Sequence, residues 1–247
     1  MRKLLPIIIF LIVSASVRLQ AQSKAPSPEI FNQLLKKYVA ENGKVDYKGF
    51  IKDSTELNKY LRQLSSNPPQ PTWTNNDQLA YWINAYNAYT IQLIIRHYPL
   101  KSIKDIGSKI KIPFVNTPWD IKFIRIGQNT YDLNNIEHDI LRKNFNEPRI
   151  HFAIVCASVS CPKLLNQAYT GAQLGQQLQT QTQEFINDPS RNKITSNQAQ
   201  LSSIFNWFAG DFTKKGSISD FINQYAKVKI KPATKISFLD YNWNLNE

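Results

Sequence analysis

Acidic residues are scarce in this chain: 18 Asp and Glu stand against 30 Lys and Arg, a formal charge of +12 over 247 residues. Glycine is scarce too, at 8, while Tyr, Phe and Trp together number 29, so the composition is that of a folded globular chain and excludes a disordered one. Beyond the N-terminus, no apolar run approaches the roughly 20 residues a membrane-spanning helix needs. There is no internal repeat and no low-complexity tract. Strands do not alternate regularly with helices, which argues against a doubly wound parallel sheet. No nucleic-acid-binding motif accompanies the positive charge, so nucleic acid is not an expected partner. Histidine numbers only three and cysteine only two, and none of their spacings matches a zinc pattern. No metal and no cofactor is therefore expected.

The N-terminus has Arg2 and Lys3, an apolar run from Leu4 to Val13, and small Ala21 before Gln22, the pattern of a secretory signal peptide. An exported chain, periplasmic or extracellular, is expected, and no Cys follows the cleavage point to carry a lipid. Removing 21 of 247 residues leaves 226, and losing Arg2, Lys3 and Arg18 takes +12 to +9. That length gives ample material for one core. The basic residues gather in 101–111 and 227–235. They suit either contact with an anionic envelope component or plain solvated edges, where Lys discourages strand pairing.

Residues 22–44 read as an N-terminal helix, with Ser27 as cap, Pro28 at its first position and Ile30, Phe31, Leu34, Leu35, Tyr38 and Val39 as an apolar stripe. A single domain over 45–247 follows. A second helix follows Asp53 or Ser54. The strongest helix is capped by Thr74 with Asp77 and runs from Asn76 to His97, stopping before Pro99. Apolar residues occur on most of its sides, which predicts a central helix. Lys122–Ile126 and Thr130–Leu133 predict a β-hairpin about Gly127, and Asp132 is expected to cap a helix reaching about Asn144. Residues 150–156 read as a buried strand, and a capping box of Thr170 and Gln173 predicts the next helix. Ser202 or Ser203 opens an aromatic helix, and 236–245 alternates as a terminal strand. The expected fold is α+β, a helix-rich body packed on a small, mainly antiparallel sheet.

The candidate chemistry centres on Cys156 and Cys161. Outside the cytoplasm such a pair usually oxidises, and four intervening residues allow a turn of bridging length. A loop so short contributes about 2 kcal/mol by closure entropy. The alternative makes one thiol a nucleophile, with Cys161 lowered in pKa by a helix starting at Pro162 and with His151 or His138 as base. Glu137 would orient the imidazole. In a regular strand His151 and Cys156 face opposite sides, so such a dyad needs a bend. Asn84 and Asn87 share one side of the central helix. They either tie it to a neighbouring loop, the cysteine loop being one choice, or offer donors to a ligand or oxyanion. Arg142 and Arg149 either bond to Glu137 or chain ends, or line an anion pocket.

Taken in order, several motifs resemble the family called domain of unknown function 547. They are Tyr81-Trp82-Ile83-Asn84-Ala85-Tyr86-Asn87-Ala88, Ile136-Glu137-His138 with Leu141-Arg142, and Pro148 to Ala153 with Val155 to Ser158. Ser160-Cys161-Pro162, Ile204-Phe205 with Trp207, Asp211-Phe212 and Tyr241 to Asn246 follow. The resemblance spans roughly 45–247 and supports the domain boundaries, but it implies no activity. Two readings stay open: an exported, envelope-associated binding or structural module, or a cysteine-dependent hydrolase or transferase acting on amide, peptide or ester bonds.

Overall fold

Helix α4, Asn75–His97, is the axis of the molecule, and every residue from Leu79 to Ile94 is buried. A helix apolar on most of its sides can satisfy itself only by being surrounded. Its start is fixed as expected: Thr74 Oγ1 accepts from the Asp77 backbone N–H at 3.1 Å and donates to the Asp77 carboxylate at 2.6 Å. Replacing Thr74 by alanine is expected to lower the unfolding free energy by about 1 kcal/mol, read from the urea midpoint. An unchanged midpoint would show that this cap is redundant. The structure, a computed structural model, describes residues 25–107, 117–195, 197–232 and 234–247. The expected leader and residues 108–111 of the first basic cluster lie outside them.

Helices α1 (Glu29–Tyr38), α2 (Tyr47–Lys52) and α3 (Ser54–Ser66) pack against one another, and α2 and α3 also pack on α4. They bury Phe31, Leu35, Tyr47, Phe50, Leu57 and Tyr60, with the Phe31 and Tyr60 rings stacked at 5.0 Å. Helix α2 was not foreseen. It is a six-residue element started by Asp46, whose side chain accepts from the Gly49 N–H.

The hairpin forms as β1 (Ile124–Ile126) antiparallel to β2 (Asn129–Tyr131), turning at Gly127 with φ +59°. Asp132 then accepts from the Asn135 N–H at 2.6 Å and starts a helical stretch. That stretch has a π-helical centre, Asn135–Leu141, closed by a short α5, Arg142–Asn144. Helix α6 (Leu174–Asn187) starts one turn later than the Thr170 capping box would place it. Gln173 makes no side-chain cap, and the Thr170 N–H is taken instead by the Gln177 side chain at 3.1 Å.

A second sheet orders as β3-β4-β5, with β3 (Lys193–Ile194) antiparallel to β4 (Gln198–Leu201) and β5 (Lys235–Phe238) parallel to it. The architecture is therefore α+β with two separate small sheets rather than one, and two of their three pairings are antiparallel. Lys193 and Lys235 sit on the two edge strands, where Lys opposes further pairing. The short helices α7 (Ile204–Trp207), α8 (Ala209–Phe212) and α9 (Ile218–Asn223) connect β4 to β5.

The buried strand expected at 150–156 does not exist. Pro148–Phe152 is a 3-10 turn, and the chain continues without a ladder into the cysteine loop. The apolar run is real, but its cause is different. Ile150, Ala153, Ile154 and Val155 belong to the core around α4, while Phe152 belongs to a second core of Phe185, Phe205, Phe212, Phe221 and Ile222. This segment is the seam between two cores, buried on both sides without being a strand. Residue 245 makes only a bridge, to Ser158, so the terminal strand also stops earlier than its alternation suggests.

Candidate functional site

Six parts of the chain meet over a cavity of about 200 Å³. The π-helical stretch provides Glu137 and His138, and α4 provides Tyr86. The seam and cysteine loop provide His151, Ile154, Cys156 and Cys161. Aromatic walls come from Trp119, from Trp207 and Phe208 at the end of α7, and from Tyr241 and Trp243 near the C-terminus. Adjacent residues on a regular helix point about 100° apart, yet Glu137 and His138 both reach this space. Both lie in the π-helical stretch, and such turns recur at functional sites.

Glu137 is buried and accepts from the Tyr86 hydroxyl at 3.2 Å. Burial pushes its carboxyl up to about 7, against the pull of the Tyr86 hydrogen bond and the Arg142 charge. The group therefore holds its proton well above the usual carboxylate range. It can donate to a ligand as well as accept.

His151 is brought close to the cavity by the 3-10 turn. Its Nε2 lies 2.8 Å from Asp211 Oδ2, and its ring stacks on Phe208 at 4.0 Å. Burial dominates and pushes the imidazole below its usual value, so at neutral pH the ring is a neutral N–H donor. Asp211, held by His151 and by Arg142 Nε at 2.6 Å, lies well below the usual carboxylate range. The ion pair here is Asp211 with Arg142. The Arg142 guanidinium also lies 3.0 Å from His138 Nδ1, and burial together with this charge depresses the His138 pKa.

Cys156 and Cys161 are at disulfide distance, with α-carbons 6.3 Å apart. The polar side chains around the sulfurs are Ser158 and Tyr241; no histidine bonds to either sulfur. The objection that a strand would set His151 and Cys156 on opposite faces falls with the strand, since both line this cavity. The helix expected to start at Pro162 is absent, so Cys161 gains no helix N-terminus. The loop is fixed from outside instead. Its 159 and 160 N–H groups donate to the Asn244 and Asn242 carbonyls at 2.8 and 3.2 Å, and Arg191 donates to the carbonyls of Cys161 and Val159 at 2.8 and 3.1 Å.

The two asparagines are engaged by backbone. Asn87 Nδ2 donates to the Ala153 carbonyl at 2.9 Å and its Oδ1 accepts from Val155 N–H at 3.0 Å, which ties α4 to the start of the cysteine loop. Asn84 does the same for Tyr169, at 2.7 and 2.9 Å. Arg149 is spent on a bidentate pair with Glu147, at 2.7 and 2.6 Å, beside a separate polar pocket of about 230 Å³ that also has Lys214 and Lys215. Among the described residues, no three His, Cys, Asp or Glu side chains gather as metal ligands would.

Reasoning from sequence missed Asp211, Tyr241, Trp119 and Trp207 as site residues. Asp211 lies 60 positions from its partner His151, and no local spacing links them. For Asp211, Tyr241 and Trp207 the only signal was membership of the ordered motifs; Trp119 had none.

The site is thus an aromatic cavity with one buried carboxyl, backed by a His-Asp-Arg cluster and walled by a disulfide, in an α+β fold. Residues 71–186 match the model of the family described as "Protein of unknown function, DUF547". The matched stretch holds Glu137, His138, His151 and both cysteines, while Trp207, Asp211 and Tyr241 complete the site from beyond it. No curated protein and no solved structure matches the chain.

Proposed function

We propose that this chain is an exported, envelope-associated binding module whose cavity takes one uncharged ring of an anionic glycan. One observation carries the reading: aromatic walls converge on a single buried carboxyl that is largely protonated below about pH 7. Binding sites are typically apolar with a few placed polar groups, and this one has that make-up. At about 200 Å³ it is smaller than the roughly 300–1,000 Å³ of drug-sized sites, which suits one sugar unit rather than an extended ligand. A sugar ring offers an apolar face to Trp207 or Trp243 and hydroxyls at its edge to Glu137 and His138. A charge of +9 on a chain that has lost its leader would draw an anionic polymer, and the N-terminal pattern of a secretory leader supports export.

The test is a tryptophan-fluorescence titration with acidic and neutral oligosaccharides. Saturable quenching is expected, and Trp207→Ala, an exposed side chain at 47 %, is expected to weaken it about tenfold without loss of fold. Absence of saturation across both sugar classes would overturn the reading.

A second reading, a thiol hydrolase or transferase acting on amide, peptide or ester bonds, has one observation in its favour. His151 has a carboxylate partner and shares the cavity with Cys156 and Cys161. Against it, the histidine does not bond to sulfur and the sulfurs are bonded to each other. Thiol counting on chain purified without reductant separates the two: two free thiols, one alkylated fast near neutral pH, favour the hydrolase.

A further inference from the structure

A disulfide that only staples a turn should be what holds that turn, and this one is not. Outside ties hold the loop on both flanks: the Asn242 and Asn244 carbonyls, the Arg191 guanidinium, and Asn246 N–H donating to the Ala157 carbonyl at 3.3 Å. Ala157 is held at φ +58°, the left-handed region that residues with a Cβ seldom occupy, inside a loop that opens on the cavity.

The two sulfurs are unequal. Cys156 is half-buried, whereas Cys161 is 2 % exposed. Cys161 Sγ alone receives a backbone donor, the Cys156 N–H at 2.9 Å. The Tyr241 hydroxyl lies 3.2 Å from it and 3.3 Å from Cys156 Sγ, which also has the Ser158 hydroxyl at 3.2 Å, and Ser158 lies 3.2 Å from the Tyr241 oxygen. Such donors favour a thiolate over a thiol. Burial raises the Tyr241 pKa, so the phenol keeps the proton it donates. Cys156 is thus the more accessible residue of the pair, and the backbone donor falls on Cys161 alone, an asymmetry that favours attack at Cys156 with Cys161 leaving.

We propose that Cys156–Cys161 is an exchange site for small thiols entering the cavity, an activity that goes beyond ligand binding there. A thiolate RS⁻ attacks Cys156 Sγ, the S–S bond breaks, and its electron pair leaves on Cys161 as a thiolate. The product is a mixed disulfide between R and Cys156. A second RS⁻ attacks the R sulfur of that adduct, releasing RSSR and the Cys156 thiolate. The net change is two RSH oxidised to RSSR and the protein disulfide reduced to two thiols, with the two protons passing to the protein sulfurs. The reverse sequence reoxidises the loop with a small disulfide.

The full chain, folded, is treated with 2-mercaptoethanol, quenched with acid, alkylated and mapped by mass. The expected result is reduction with retained circular dichroism, and an early adduct on Cys156. Tyr241→Phe is expected to slow reduction about fivefold, the equivalent of one hydrogen bond to the leaving sulfur. Ser158→Ala, one step further from that sulfur, is expected to slow it less. If Tyr241→Phe fails to fold, the position of the early adduct in the unaltered chain decides. Reduction only in denaturant, an adduct on Cys161, or a folded Tyr241→Phe variant that reacts as fast as the parent would each overturn the proposal. Because the probe is a thiol and the readout is mass, failure of the sugar titration leaves this test intact.

Discussion

Asn87→Ala is expected to lower the unfolding free energy by about 3–5 kcal/mol, more than any surface or cap substitution in the chain. The substitution removes little apolar area. What it strands are two backbone groups, the Ala153 carbonyl and the Val155 N–H, in a segment buried between two cores. Each unpaired buried group costs about 1–3 kcal/mol, and the space left by a carboxamide is small for a water that must serve both. Asn87→Asp is expected to fare little better, because a carboxylate accepts from Val155 but cannot donate to Ala153. Asn84→Ala should cost a similar amount, since it strands both backbone groups of Tyr169. The two variants should differ in where they act. Only the Asn87 change should alter the fluorescence of the cavity tryptophans, because only that residue anchors the chain leading to Cys156. Urea unfolding gives the energies, and a loss under 1 kcal/mol for Asn87→Ala with an unchanged slope would show that the seam finds other partners.

The same asparagine explains why part of the fold was legible and part was not. Helix α4 was readable because several signals agreed over 23 residues: the Thr74 and Asp77 cap, the apolar sides and the stop before Pro99. The hairpin was readable from its turn. The 150–156 segment, by contrast, has strand-like residues, and a run of that length cannot be told from other buried structure by pattern alone. Its backbone partner is a side chain 66–68 positions earlier, and nothing local announces that. For Asn84 and Asn87 the sequence leaves two roles open, and their hydrogen bonds to backbone make the tie. The cysteines, His138, His151 and Glu137 were all named from the sequence, but their common cavity was not. Glu137 lies in a π turn and His151 in a 3-10 turn, two departures from regular geometry that leave no clear periodicity. Asp211 and Tyr241 reach the site through tertiary packing from 60 to 85 positions away.

Glu137→Gln is expected to make the protein more stable at pH 8 by about 3 kcal/mol and to change it little at pH 5. The buried carboxyl titrates at about 7, against 4.5 when unperturbed. Between those values the folded chain holds a proton that the unfolded chain has lost, so stability falls as pH rises through the window and levels off above about 7. A shift of that size corresponds to about 3 kcal/mol at roughly 1.4 kcal/mol per unit. Glutamine accepts the Tyr86 hydrogen bond and never ionises, so the fall disappears. Other groups nearby titrate with the opposite sign. His138 and His151 have depressed values, so the unfolded chain binds their protons first, and the stability they withhold at lower pH returns as pH rises towards the ordinary imidazole value. Asp211 stabilises above the ordinary carboxylate range, and that contribution is lost only at strongly acid pH, as its depressed folded value is approached. All three are present in both proteins, so the difference between the two stability curves isolates Glu137. Its near neighbours Arg142 and Asp211 act on it in opposite directions, the first lowering and the second raising its pKa. Chemical unfolding of both proteins at half-unit steps from pH 5 to pH 8 gives that difference. Parallel curves would mean that the carboxyl is solvated in the native state, and the protonated donor on which the ligand reading rests would be lost with it.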